Sequence, residues 1–190
     1  MAGHKIVVLG ASAGGIESLI QLVQGFPSDL PAAIFIVVHI RANLPSRLPQ
    51  VLQYFSKLPA VHAVDGAAIE LGHIYIAPPD RHLLVKRNYM RVVLGPKENR
   101  TRPAIDPLFR TAALAYGKLV VGVVLSGSLW DGTAGLLEVK EQGGVAIVQD
   151  PKEALFPSMP QSAINHVAVD HILPVANITR FLVNLTSEVV

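Results

Sequence analysis

Ile6-Val7-Val8-Leu9-Gly10-Ala11-Ser12-Ala13-Gly14-Gly15 decides how this chain is read. Apolar residues on successive positions suit a strand covered on both faces, as in a parallel sheet. Gly10-Ala11-Ser12-Ala13-Gly14 then turns the chain into a helical pattern over Ile16–Gly25. A serine in such a strand-to-helix bend stands exposed beyond the sheet. Its small neighbours let the backbone bend and a substrate approach, and the helix N-terminus favours developing negative charge. Gly/Ser-rich turns also cradle phosphates, so Ser12 needs a base and an orienting acid elsewhere to be a nucleophile.

Outward from that stretch, short β-rich runs alternate with helical patterns. Ile6–Leu9, Ile34–Val38, Ile74–Ala77, Val120–Leu125 and Val145–Val148 read as strands. Ile16–Gly25, Leu48–Leu58, Pro107–Tyr116, Gly132–Gln142, Ser162–His166 and Ile178–Leu185 read as helices. Asp106-Pro107 has the form of an N-cap followed by proline at the first helical position, and Gly117 suits a stop. His82–Lys86 and Tyr89–Leu94, flanking Arg87-Asn88, predict a β-hairpin. The expected fold is α/β: a doubly wound, mostly parallel sheet with helices on both faces and one antiparallel hairpin insertion.

Ligands of open α/β sheets bind beyond the carboxyl ends of the strands. One strand leads to Ser12, the next to His39, and a third to Ser126-Gly127-Ser128-Leu129-Trp130-Asp131-Gly132. Brought to one edge, Ser12 would attack, His39 would take its proton and return it to the leaving group, and Asp131 would hold the imidazole. Each residue also has a plainer use. Ser12 could cap the first helix, His39 could be a satisfied strand-end histidine, and Asp131 could be an N-cap.

Composition narrows the classes. At 190 residues and 51% apolar, the chain is long and apolar enough for a real core, and is read as one domain over residues 1–190. A net charge of +2 makes no electrostatic case for nucleic acid; the one basic cluster is Arg100, Arg102 and Arg110, of which Arg100 and Arg102 read as a solvated loop or as an electrostatic guide for acidic helices. The absence of cysteine excludes disulfides and a thiol nucleophile. The early apolar run is shorter than the roughly 7–15 residues of a signal-peptide core, and no stretch reaches the ~18 of a membrane helix. A cytoplasmic protein without membrane insertion is expected. His62, His73, His82, His166 and His171 lack metal-site spacing, so neither metal nor cofactor is expected.

Taken together, Leu9–Gly15, Val38-His39, Tyr75-Ile76-Ala77-Pro78, Asn99-Arg100-Thr101-Arg102-Pro103, Ser126-Gly127 with Asp131-Gly132, and Gln149-Asp150 with Met159-Pro160 resemble the catalytic domain of the chemotaxis protein-glutamate methylesterases, the CheB type. The resemblance runs in family order over about residues 5–185. It implies a parallel sheet with a hairpin, and hydrolysis of γ-glutamyl methyl esters on the cytoplasmic helices of methylated chemoreceptors, with deamidation of receptor glutamines as a second reaction. It places the catalytic serine, histidine and aspartate on Ser12, His39 and Asp131, and the oxyanion-binding backbone amide on Ser128.

The chain departs from the family pattern at several points. Ala13 stands where threonine is usual, and Ile40-Arg41 where Met-Pro is usual. In the acid loop Ser128 replaces methionine, Leu129 replaces a glycine and Trp130 adds a ring, while Pro157-Ser158 replaces Phe-Gly. If position 129 needs a positive φ, leucine there costs about 1–3 kcal/mol. With the first strand near Ile6, no room is expected for the receiver domain that typically precedes this one. A stand-alone enzyme of unknown regulator and an excised catalytic portion both fit. A non-catalytic module that binds receptors or signalling proteins is the alternative. A dinucleotide binder fits less well, because Ser12 takes the second glycine of Gly-x-Gly-x-x-Gly and His39 the place of a ribose-binding acid. A conventional α/β-hydrolase would need a late histidine, and neither His166 nor His171 follows a strong strand.

Overall fold

A computed structural model describes residues 3–40 and 46–187. β1 (Lys5–Ala11), β2 (Ala32–Val38) and β7 (Val120–Val124) are buried at every position, as their unbroken apolar runs require. β3 (Ala60–His62), β4 (Ile74–Ile76), β8 (Val145–Gln149) and β9 (His171–Leu173) complete a seven-stranded sheet in the order β3-β4-β2-β1-β7-β8-β9. Every neighbouring pair in it is parallel. β5 (His82–Lys86) and β6 (Tyr89–Val93) form the separate antiparallel hairpin, in register from His82–Val93 to Lys86–Tyr89.

Alternation along the central strands divides the core. Val7, Leu9, Ile34, Ile36 and Val123 face one layer with α1 (Gly15–Gln24), α2 (Leu48–Phe55) and α6 (Val175–Ser187). Ile6, Val8, Phe35, Val37 and Val124 face the other, with α3 (Ile105–Tyr116), α4 (Thr133–Glu141), α5 (Ser158–His166) and the hairpin. Helices therefore cover both faces, which is the doubly wound arrangement expected. β1 continues to Ala11, and α5 starts at Ser158, four residues before the predicted 162, because Pro160 is accommodated in its first turn.

The helix-start reading at Asp106 is corrected. Ala104 occupies the N-cap of α3, and Asp106 lies inside the first turn with Pro107 after it. Asp131 is not the cap of α4 either; Gly132 is, at φ 93. Gly117 does end α3, at φ 53. β2, β1 and β7 are adjacent, and the chain reverses its direction of travel across the sheet between β1 and β7. The residues that follow these strands consequently share one crevice, the switch point of this fold.

Candidate active site

Ser12 follows β1 directly. Its amide donates to Ser126 O at 3.0 Å, and its carbonyl accepts from Gly15 N at 3.0 Å, so the bend is tied to both β7 and α1. Gly14, at φ 68, opens that helix. Ser126 is fully buried beneath the bend. Its hydroxyl donates to Ala13 O at 2.9 Å and accepts from Phe156 N at 3.0 Å, while its own amide donates to Gln149 Oε1 at 2.8 Å. Gly127 allows the loop to pass Ser12 closely: a Cβ there would lie 2.8 Å from Ser12 Cβ and 2.7 Å from Met159 Cε.

His39 immediately follows β2, with its amide donating to Ala11 O at 3.1 Å. The imidazole Nδ1 lies 3.1 Å from Ser12 Oγ, and Nε2 lies 2.7 Å from Asp131 Oδ2. Thr101 Oγ1 approaches Nε2 at 3.4 Å. Ser12, His39 and Asp131, expected from three separate strand ends, are thus one hydrogen-bonded chain. A carboxylate only accepts, so Nε2 carries the ring proton and Nδ1 is free to accept the serine hydroxyl. The ring faces its partners in the opposite sense to the chymotrypsin arrangement, where Nε2 meets the serine.

Asp131 is 2% exposed and saturated with donors. Oδ2 accepts His39 Nε2 and Ile105 N, both at 2.7 Å. Oδ1 accepts Asn99 Nδ2 at 2.7 Å, Gly132 N at 2.9 Å and Asp106 N at 3.1 Å. Burial pushes this carboxyl up. The hydrogen bonds and charge of His39, with the Ile105 and Asp106 amides, outweigh burial and hold it below its ordinary value. It therefore stays ionised, as an orienter of imidazole must.

Sequence reasoning missed Asn99 and misread Asp106. The Asn99 amide nitrogen donates to both carboxylates, at 2.7 Å to Asp106 Oδ2 and 2.7 Å to Asp131 Oδ1. Asp106 Oδ1 accepts Gly135 N at 2.7 Å and Gly132 N at 3.0 Å. Burial first, and the neighbouring Asp131 charge second, push Asp106 up to about 6. Asn99 lay within a stretch singled out in the sequence, Asn99–Pro103, and its φ of 49 is a conformation asparagine tolerates.

Ser128, Leu129 and Trp130 sit on the exposed crest of the acid loop. Among the described residues the Ser128 and Ala13 amides donate to no protein acceptor. Leu129 does adopt the left-handed conformation, at φ 70. Its amide donates to Ser158 Oγ at 3.2 Å, and that hydroxyl reaches Gly127 O at 3.3 Å. Two departures from the family pattern, Leu129 and Ser158, are therefore in contact. Trp130 borders a cavity of about 430 Å³ lined also by Asn99, Asp106, Leu137, Ser162 and His166. Of the basic cluster, Arg102 pairs with Asp80 at 2.7 Å and Arg110 with Glu98 at 3.0 Å, while Arg100 is exposed. Arg41 lies outside the described residues.

Comparison with known proteins gives one consistent answer. A protein-glutamate methylesterase/protein-glutamine glutaminase of Hydrogenovibrio crunogenus is 39% identical over 189 residues, covering 97% of this chain and 50% of that protein. One so named from Pyrococcus horikoshii is 36% identical, over 93% of this chain and 49% of its own length. The chain thus spans about half the length of these relatives, although it covers 95% of one from Leptospira interrogans at 35% identity. The crystal structure of the Thermotoga maritima CheB methylesterase catalytic domain superposes with a TM-score of 0.92 at 34% identity, over 96% of this chain and 98% of that one. The CheB methylesterase family model matches residues 7–182, and by that span and this fold the chain belongs to the CheB methylesterase family.

Proposed function

We propose that this chain is a serine-type protein-glutamate methylesterase, and that Ser12, His39 and Asp131 carry the reaction. The continuous contact Ser12 Oγ–His39 Nδ1, His39 Nε2–Asp131 Oδ2, at 3.1 and 2.7 Å, is the observation that supports it. His39 Nδ1 takes the hydroxyl proton as Ser12 Oγ adds to the ester carbonyl of a glutamyl side chain. Asp131 stabilises the imidazolium. The tetrahedral oxyanion is received by the Ser128 amide, with the Ala13 amide, in the turn before α1, as a second donor. The carbon–methoxy bond breaks and His39 protonates methoxide, so methanol departs. Water, deprotonated by the same imidazole, then releases glutamate and restores Ser12. A glutamine side chain would follow the same path with ammonia leaving.

The names of the relatives support glutamyl methyl esters and glutamines of proteins as substrates. Methylated chemoreceptor cytoplasmic helices are the proposed partner and the cytoplasm the proposed location. Among the described residues no helix is long and apolar enough to cross a membrane. Receptor membranes carrying labelled methyl esters should release labelled methanol with wild type and none with Ser12→Ala, provided that circular dichroism shows the variant folded. Unchanged release from Ser12→Ala would end the serine mechanism. The departures from the family pattern at Ala13, Leu129 and Trp130 support one other reading, a receptor-binding module without turnover, which predicts binding to those membranes with no methanol released.

A further inference from the structure

The second buried carboxylate, Asp106, has no part in the reaction as written above, yet it touches the acid of the relay at every level. Its own amide donates to Asp131 Oδ1 at 3.1 Å. Its side chain accepts from Gly132 N, whose hydrogen is shared with Asp131 Oδ1, and from Gly135 N in the first turn of α4. Its other oxygen meets the Asn99 amide nitrogen, and the second hydrogen of that nitrogen reaches Asp131 Oδ1. The two helix starts are thereby cross-capped: Asp131 receives the first amides of α3, and Asp106 receives the Gly132 and Gly135 amides of α4.

We propose that Asp106 is a positioning residue for the Ser12–His39–Asp131 relay, fixing the Asp131 carboxylate through the Asn99 bridge and through the turn that begins at Gly132. Asp106 has this role only if that relay is catalytic, as proposed above. Asp131 Oδ2 must present itself in the plane of the imidazole to keep the proton on Nε2. Its rotation is set by what holds Oδ1, and Asn99, Gly132 and the Asp106 amide are what hold it. Asp106 in turn sets Asn99, because a primary amide facing two acceptors can place its nitrogen in only one way. Replacement of Asp106 by asparagine would leave the amide oxygen on Gly132 and Gly135 and turn a second NH2 toward Asn99. Two donors would then face each other. Asn99 would have to flip or withdraw, and Asp131 would lose a bond.

Reaction with a fluorophosphonate tests this without any receptor: Ser12 Oγ displaces fluoride from phosphorus and His39 takes the hydroxyl proton. Wild type, Asp106→Asn, Asn99→Gly and Val139→Ala are compared for the maximal labelling rate and the half-saturating concentration. Asn99→Gly deletes the bridge while tolerating the left-handed backbone, which covers the case of an Asp106→Asn variant that does not fold. Val139→Ala loosens the buried face of α4 without touching either carboxylate. The expected result is a maximal rate lowered about 10-fold or more for Asp106→Asn and Asn99→Gly, the scale of a small misplacement of a reacting group. Half-saturation should stay unchanged, and Val139→Ala should melt earlier yet label within twofold of wild type. Equal maximal rates in wild type, Asp106→Asn and Asn99→Gly would overturn the positioning role alone. A wild type that does not label at Ser12 would overturn the hydrolase reading, and the role of Asp106 with it.

Discussion

His39 gives its Nε2 to Asp131 at 2.7 Å and keeps its Nδ1 for Ser12 at 3.1 Å. The resting imidazole is therefore the Nε2–H tautomer. Nitrogen-15 chemical shifts of the neutral His39 ring should report a protonated Nε2 and an unprotonated Nδ1. Asp131→Asn would place an amide donor before Nε2–H and favour the other tautomer. In chymotrypsin-type sites the corresponding change costs about 10⁴ in kcat. A loss of that order in methanol release is expected here, and a variant within tenfold of wild type would contradict the assigned role of Asp131.

Gly127→Ala tests the closeness of the two loops. The added Cβ would stand 2.8 Å from Ser12 Cβ. The thioether of Met159 can give way, but Ser12 is held by its backbone and cannot. Displacement of the serine by a fraction of an ångström should cut kcat about 10-fold or more with the fold intact. Wild-type turnover in Gly127→Ala would show that the bend has more room than its bonds allow.

Leu129→Gly should stabilise the protein. Leucine at φ 70 costs about 1–3 kcal/mol, and glycine returns about 0.5–1 kcal/mol of that through its larger unfolded entropy. A net gain of about 1 kcal/mol would raise the melting temperature by a few degrees. A fall in stability would mean that the Leu129 side chain, half-exposed though it is, packs to advantage.

Asp106 sets a pH dependence whose sign is opposite to that of Asp131. Its folded-state value, about 6, lies above its ordinary 3.8. The stability it contributes is thus full below 3.8 and lost as pH rises through 6. Asp131 lies below its ordinary value, so its contribution is present above 3.8 and lost only in stronger acid. Between pH 4 and 7 the stability of wild type relative to Asp106→Asn should fall, by up to about 3 kcal/mol. Urea unfolding at several pH values measures this, and parallel curves for the two proteins would refute it.

Legibility in the sequence followed burial. Apart from Lys5 at the start of β1, β1, β2 and β7 carry no polar side chain and are buried on both faces, so they stood out, and with them the strand ends that carry Ser12, His39 and the acid loop. β3 and β9 are three-residue edge strands with mixed exposure and no apolar run to mark them. Asp106 was misread because an aspartate before a proline has the form of a helix cap. Only the fold shows that the turn belongs to Ala104 and that the carboxylate serves the neighbouring helix. Asn99 could not be assigned from its own stretch. Its two acceptors lie 7 and 32 residues away in the chain.

The cross-capping of α3 and α4 bears on which inactive variant makes a clean control. A change at position 131 takes from α3 at least one acceptor for its opening amides as well as leaving the imidazole unaligned, so a silent mutant there would confound chemistry with local unravelling. The hydroxyl of Ser12, by contrast, bonds among the described residues to His39 alone. Its removal should stop the proposed reaction and leave every helix latched.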